Sequence, residues 1–268
     1  MDINWTTVLT IAGAFGAAST AQIVSHLLTQ SRDEKKYKKE CLQKLYSPLI
    51  FKINDYLNAE NLNAINNSET NNLDTNKLFK EITDKISDNL MYATTDLILA
   101  YEDLKSISTY GLDEDENKDF IMLQRMEICS VFISQYMDIS KDLKTLSESV
   151  NEKLNAAYFF TQFYLLITDC IPFYETDIEP KIIFNYFHFI ELVIQPQNDL
   201  LERIRKVRED LSQVTKTTAH KDKLLIEETY SDAFNLLYEI FDKFSHEDAS
   251  DFWRNILYKH TDSLKKGE

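Results

Sequence analysis

Three short stretches hold polar side chains at spacings that suit chemistry. His188 and Glu191 stand three residues apart, one turn along a helix. That spacing would serve an acid–base pair or two ligands of one ion, and equally a satisfied core contact. Arg203, Arg205, Lys206 and Arg208 form the basic cluster of the body, interleaved with Glu202, Glu209 and Asp210. The default for such a pattern is a solvated, salt-bridged face. The functional alternative is contact with an acidic partner, a lipid headgroup or nucleic acid. Asp113, Asp115 and Asn117 begin like a calcium loop, but Lys118 stands where glycine is required and Gln124 where the bidentate acid belongs. They read as a solvated turn.

The rest of the catalytic vocabulary is missing. The histidines beyond residue 40 (His188, His220, His246, His260) match no zinc-protease spacing, and no glutamate precedes a histidine by three. There is no Gly-x-Ser-x-Gly elbow. Cys41, Cys129 and Cys170 are odd in number and far apart, as reduced cytosolic thiols would be. The four glycines are Gly13, Gly16, Gly111 and Gly267, too few for a phosphate-cradling loop or many tight hairpins. These features predict no catalytic residues, no metal and no cofactor. The formal net charge is −15, and residues 41–268 alone carry −16. A body so acidic repels phosphate backbones, which argues against nucleic acid as a partner.

Apolar residues at steps of three and four predict an all-α body. Phe79, Ile82, Ile86, Leu90, Ala93, Leu97, Tyr101 and Leu104 form one stripe, predicting a single helix over 75–110 capped by Gly111. Ile128 to Val150 alternates in steps of four and three, a coiled-coil-like spacing on a helix starting near Lys118. Ser149 and Glu152 have capping-box spacing, and the helix after them, through about Cys170, is apolar nearly all round, as a central core helix is. Ile182–Ile194, Leu200–Val214, Lys221–Phe244 and Glu247–Leu264 continue the helical pattern. Residues 58–74 are rich in asparagine and read as an exposed loop.

The first segment is different in kind. Ile3 to Ser31 carries no Asp, Glu, Lys or Arg and runs into Arg32, Lys35, Lys36, Lys38 and Lys39. As a helix, Trp5 to Leu28 would span roughly 36 Å, against about 30 Å for a bilayer core. The charge asymmetry predicts a single-pass inner-membrane protein with residues 32–268 in the cytoplasm. Gly13, Ala17 and Ala21 recur every four residues, a small-residue stripe on which two spans can pack into a homo-oligomer. The expected order is an anchor over 1–31, a basic stalk helix over 32–57 that Pro48 kinks or breaks near Tyr46, the loop over 58–74, and a helical bundle over 75–268.

An uncharged span, a lysine-rich turn and then Leu45-Tyr46-Ser47-Pro48-Leu49 resemble a loose group of uncharacterised membrane-anchored helical proteins of bacteria and their phages. The resemblance covers about the first 55 residues and brings no catalytic residues. It implies a bacterial or prophage setting, with defence or superinfection exclusion as a role. Together these readings predict a membrane-anchored interaction protein that works through an unknown protein partner. Two alternatives stand beside it: a tethered enzyme with a dispersed active site, and a soluble structural protein whose first helix is buried in an oligomer.

Overall fold

The computed structural model describes residues 32–65, 73–109, 118–170, 198–216 and 223–243. Among these the protein is all-α, with no strand. Helix α1 runs over 32–41, passes through a π-helical turn at Leu42–Tyr46 and continues as Ser47–Ile65. Then come α2 (Thr75–Ser87), α3 (Thr95–Thr109), α4 (Lys118–Asp142), α5 (Glu148–Cys170), α6 (Asn198–Lys216) and α7 (Lys223–Asp242).

Pro48 does not break α1; it goes with a local widening. Its ring has no N–H and would clash with the carbonyl one turn back. The chain answers with the π turn, in which the Ser47 N–H reaches back to the Leu42 carbonyl. The inserted residue turns both Leu45 and Tyr46 inward, each fully buried. The Tyr46 ring lies 4.8 Å from Phe132 of α4. Its hydroxyl donates to Gln135 Oε1 at 2.7 Å.

The segment expected as a free stalk is therefore part of the bundle. Leu49, Ile53, Tyr56 and Leu57 are buried in the same core as Phe79, Phe132 and Phe160. Residues 58–65, expected as loop, extend α1, with Ala59, Glu60 and Asn61 buried. Asn63 then ties down the return of the chain: its amide donates to the Leu73 carbonyl and accepts from the Leu73 N–H, both at 2.8 Å.

Two expected long helices are each divided. The stripe over 75–110 is split between α2 and α3 by a 3₁₀ turn at Leu90–Tyr92. Asn89 folds its side chain onto the Lys85 carbonyl, Ala93 is extended, and Thr94 Oγ1 accepts from the Leu97 N–H at the start of α3. Turn-forming side chains outcompete the apolar period here. The coiled-coil-like run from Ile128 is cut where α4 ends at Asp142. Lys144 takes φ 56°. Its N–H bonds the Lys141 carbonyl, and that of Thr145 the Ser140 carbonyl. This is a Schellman stop with lysine where glycine usually sits. Helix α5 starts at Glu148, so Ser149 lies inside it and is not a cap.

Helix α5 is the centre, as its composition predicts. Every residue from Ala156 to Ile167 is buried. It packs between α4, α6 and α7. Phe163 lies 6.5 Å from Phe159 and edge-on to Phe241 of α7 at 5.9 Å. Tyr230, Phe234, Leu237 and Phe241 form the buried face of α7, and Leu200, Ile204 and Leu211 that of α6. No helix among the described residues is long and apolar enough to cross a membrane. The segment read as the anchor, 1–31, with Gly13, Ala17 and Ala21, lies outside them.

Candidate functional site

A groove of about 1070 Å³ runs along α4, α5 and α6. It holds all four cations of the basic cluster, in three different situations. Helix α6 has an apolar stripe of period 3.6, so cations spaced by two and three residues cannot all face one way. Arg203 turns to α7 and pairs with Glu239 Oε2 at 2.7 Å. That contact, with Lys243 at 3.0 Å, holds the Glu239 carboxyl below the usual range. Arg205 and Lys206 are exposed on the rim.

Arg208 points into the protein and is a structural centre. Its Nε donates to Asp169 Oδ2 at 2.7 Å, Nη1 to Gln162 Oε1 at 3.3 Å, and Nη2 to Glu127 Oε1 at 3.4 Å. Gln162 in turn donates to Ser130 Oγ. One guanidinium thus stitches α6 to both α4 and α5. Burial works against its charge, and Asp169 and Glu127 more than offset this, holding it above its ordinary value. Burial raises the Asp169 carboxyl, and Arg208 pulls back only part of that shift.

The lining of the groove is otherwise acidic. Seven carboxylates face four cations, and Arg203 and Arg208 are already matched by acids. Asp138, Asp199, Glu202 and Glu209 are exposed along it. Tyr158 lies in the lining with only 7 % of its surface exposed. The groove therefore offers carboxylates on its walls and a phenol in its floor, an arrangement that accepts donors.

The cations at the start of α1 are separate from this groove. Arg32, Lys35, Lys36 and Lys39 are exposed on the first turns of α1. Lys38 pairs with Asp142 at the end of α4, and Tyr37 donates to the Met91 carbonyl at 3.1 Å. These two contacts fix the start of α1 against the bundle.

His188, Glu191 and the Asp113–Asn117 turn lie outside the described residues. All three cysteines are buried free thiols. Burial pushes each of them up, away from the reactive thiolate. Among the described residues no group of three or more His, Cys, Asp or Glu could hold a metal ion.

Sequence reasoning found Arg208 but not Glu127, Ser130, Gln162 or Asp169. A signal was there: Gln162 stands in the middle of the uncharged run of α5, and a buried amide in such a run needs a polar partner. Which partner was decided by helix packing. Compared with known proteins, the chain matches no family model, no curated protein and no solved structure.

Proposed function

We propose that this protein is a membrane-anchored interaction protein. Its helical body faces the cytoplasm and holds a partner polypeptide by a basic segment laid in the α4–α6 groove. The observation behind the reading is the groove itself: a wide, open channel whose carboxylates outnumber its cations, with a buried phenol in its floor. The uncharged segment over 3–31 and the exposed cations after it support the anchor and the orientation. The anchor stripe of Gly13, Ala17 and Ala21 supports a homo-oligomer, which would raise the effective concentration of several grooves for one partner. The bacterial or phage setting rests on the resemblance of the first 55 residues alone.

The experiment is a peptide titration of the full-length protein in nanodiscs. A twelve-residue Lys/Arg-rich peptide is expected to bind with an affinity that falls as salt rises. The variant Asp138→Lys/Glu202→Lys should bind it far more weakly. A control of equal charge, Asp55→Lys/Glu152→Lys, changes exposed residues away from the groove and should bind nearly as well as the parent. Equal loss in both variants would reduce the effect to net charge and overturn the groove as the docking surface.

A further inference from the structure

This chain itself carries a helical basic segment of the kind the α4–α6 groove accepts. Arg32, Lys35, Lys36 and Lys39 fall at i, i+3, i+4 and i+7 of α1. That spacing gathers four cations on one face, along about 10 Å of the helix. Asp33, Glu34 and Glu40 fall on other faces. All four cations are exposed, and among the described residues none of them forms an ion pair. The opposite face of α1 is the one turned to the bundle. There Lys38 meets Asp142, Tyr37 donates to the Met91 carbonyl, and Cys41 is buried.

The groove presents the complement. Asp96, Asp138, Asp199, Glu202 and Glu209 are exposed along it, and among the described residues no ion pair engages any of them. The exposed cations Arg205 and Lys206 offset only part of this charge. On α6, Asp199, Glu202 and Glu209 keep to one side of the helix, a carboxylate row about 15 Å long, and Asp138 stands on the α4 wall. A helix with a four-cation stripe fits such a channel in charge and in length.

On the reading of the groove as a docking surface for a basic segment, we propose that the segment is the start of α1 of a second copy of this chain. A chain cannot close the contact on itself. The Lys38 and Tyr37 contacts pin α1 with its cationic face turned away from its own bundle. A second copy meets that face without disturbing them. The levels also match. Asp142, which holds Lys38, stands one turn beyond Asp138, about 6 Å along α4. Met91, which holds Tyr37, leads into the start of α3, where Asp96 lines the groove. The groove therefore opens at the end of the bundle where α1 begins. A two-fold axis keeps equivalent residues of two copies at equal levels, so two parallel chains each bring their α1 start to the other's groove and the pair closes. Copies of net charge −15 repel each other elsewhere, which confines the attraction to this contact.

The test is crosslinking between two full-length chains with different tags, Lys36→Cys and Glu202→Cys, mixed in nonionic-detergent micelles at low salt. The native cysteines are buried, so the introduced thiols take a short bis-maleimide first. The heterodimer is expected to exceed that of a control pair, Lys36→Cys with Asp55→Cys, by about fivefold or more. Adding Asp138→Lys/Asp199→Lys/Glu209→Lys to the Glu202→Cys chain should remove the excess, with an unchanged helical circular dichroism spectrum. Adding Arg32→Glu/Lys35→Glu/Lys39→Glu to the other chain should restore it, because both signs are then exchanged. Equal yields in the two pairs, or a loss that the charge exchange leaves unrestored, would overturn the proposal. Binding of the Lys/Arg-rich peptide without the heterodimer would keep the groove as a docking surface and remove the second copy as its occupant. Absence of both would remove both.

Discussion

Replacing Arg208 by methionine removes three contacts at once, to Asp169 at 2.7 Å, Gln162 at 3.3 Å and Glu127 at 3.4 Å. Methionine keeps the apolar stem, so the loss is that of charge and hydrogen bonds. Breaking a buried ion pair from one side costs roughly 3–5 kcal/mol, because a charge is left without compensation. Here the side chains of Arg208, Asp169 and Glu127 are 17 %, 30 % and 37 % exposed, so water relieves part of the cost. A destabilisation of about 2–3 kcal/mol is expected after that screening. Asp169→Asn should cost less, about 1 kcal/mol or under, because it removes a carboxylate that burial already disfavours and leaves an amide oxygen to accept from Arg208.

The assay is urea unfolding of the full-length protein by circular dichroism, with stability read from the midpoint at constant slope. The pH dependence gives an independent check. The Asp169 carboxyl is raised above its ordinary 3.8, so between 3.8 and its folded value the native state binds more protons than the unfolded one. Asp169 therefore contributes stability at low pH that is lost as pH rises through its folded pKa. The difference in stability between the parent and Asp169→Asn should fall across that window and stay level above it. A loss under about 1 kcal/mol in Arg208→Met would refute this account of the cluster, as would a larger loss in Asp169→Asn or a flat difference curve.

Three further expectations follow from other parts of the fold. Phe163→Ala should destabilise by about 3–5 kcal/mol, since the fully buried ring links α5 to Phe241 of α7, and urea unfolding reads the change. Lys144→Gly should stabilise by about 0.5–1 kcal/mol in the same assay, because glycine adopts φ 56° without the Cβ conflict. If residues 1–31 span a bilayer, the protein should resist alkaline carbonate extraction, and Gly13→Ile/Ala17→Ile should keep insertion while lowering self-crosslinking. Release into the soluble fraction would favour a first helix buried in an assembly.

The residues themselves determined the fold class and the centre of the core. The period of apolar residues and the scarcity of glycine and proline leave helices as the economical way to bury this surface. The uninterrupted run from Ala156 to Ile167 must be covered on all sides, so it had to be central. Helix ends were less legible. Asn89, Thr94 and Lys144 stop or start helices by local hydrogen bonds that compete with a continuing apolar stripe, and their outcome depends on what each end packs against. The π turn at Leu42–Tyr46 is of the same kind: Pro48 announced a disturbance, and burial of Leu45 and Tyr46 together accompanies its form.

The site needed the tertiary structure. Arg203, Arg205, Lys206 and Arg208 read as one cluster because they are neighbours in the chain. Helix α6 aims them differently, and only packing against α4, α5 and α7 gives each its partners. The acceptors Glu127, Gln162 and Asp169 are 81, 46 and 39 residues away from Arg208. Arg125 likewise meets Asn76 at a separation of 49. Periodicity reports which face of a helix is apolar because that is a property of one helix. Which charges share a groove is a property of several, set by how their apolar faces close on each other.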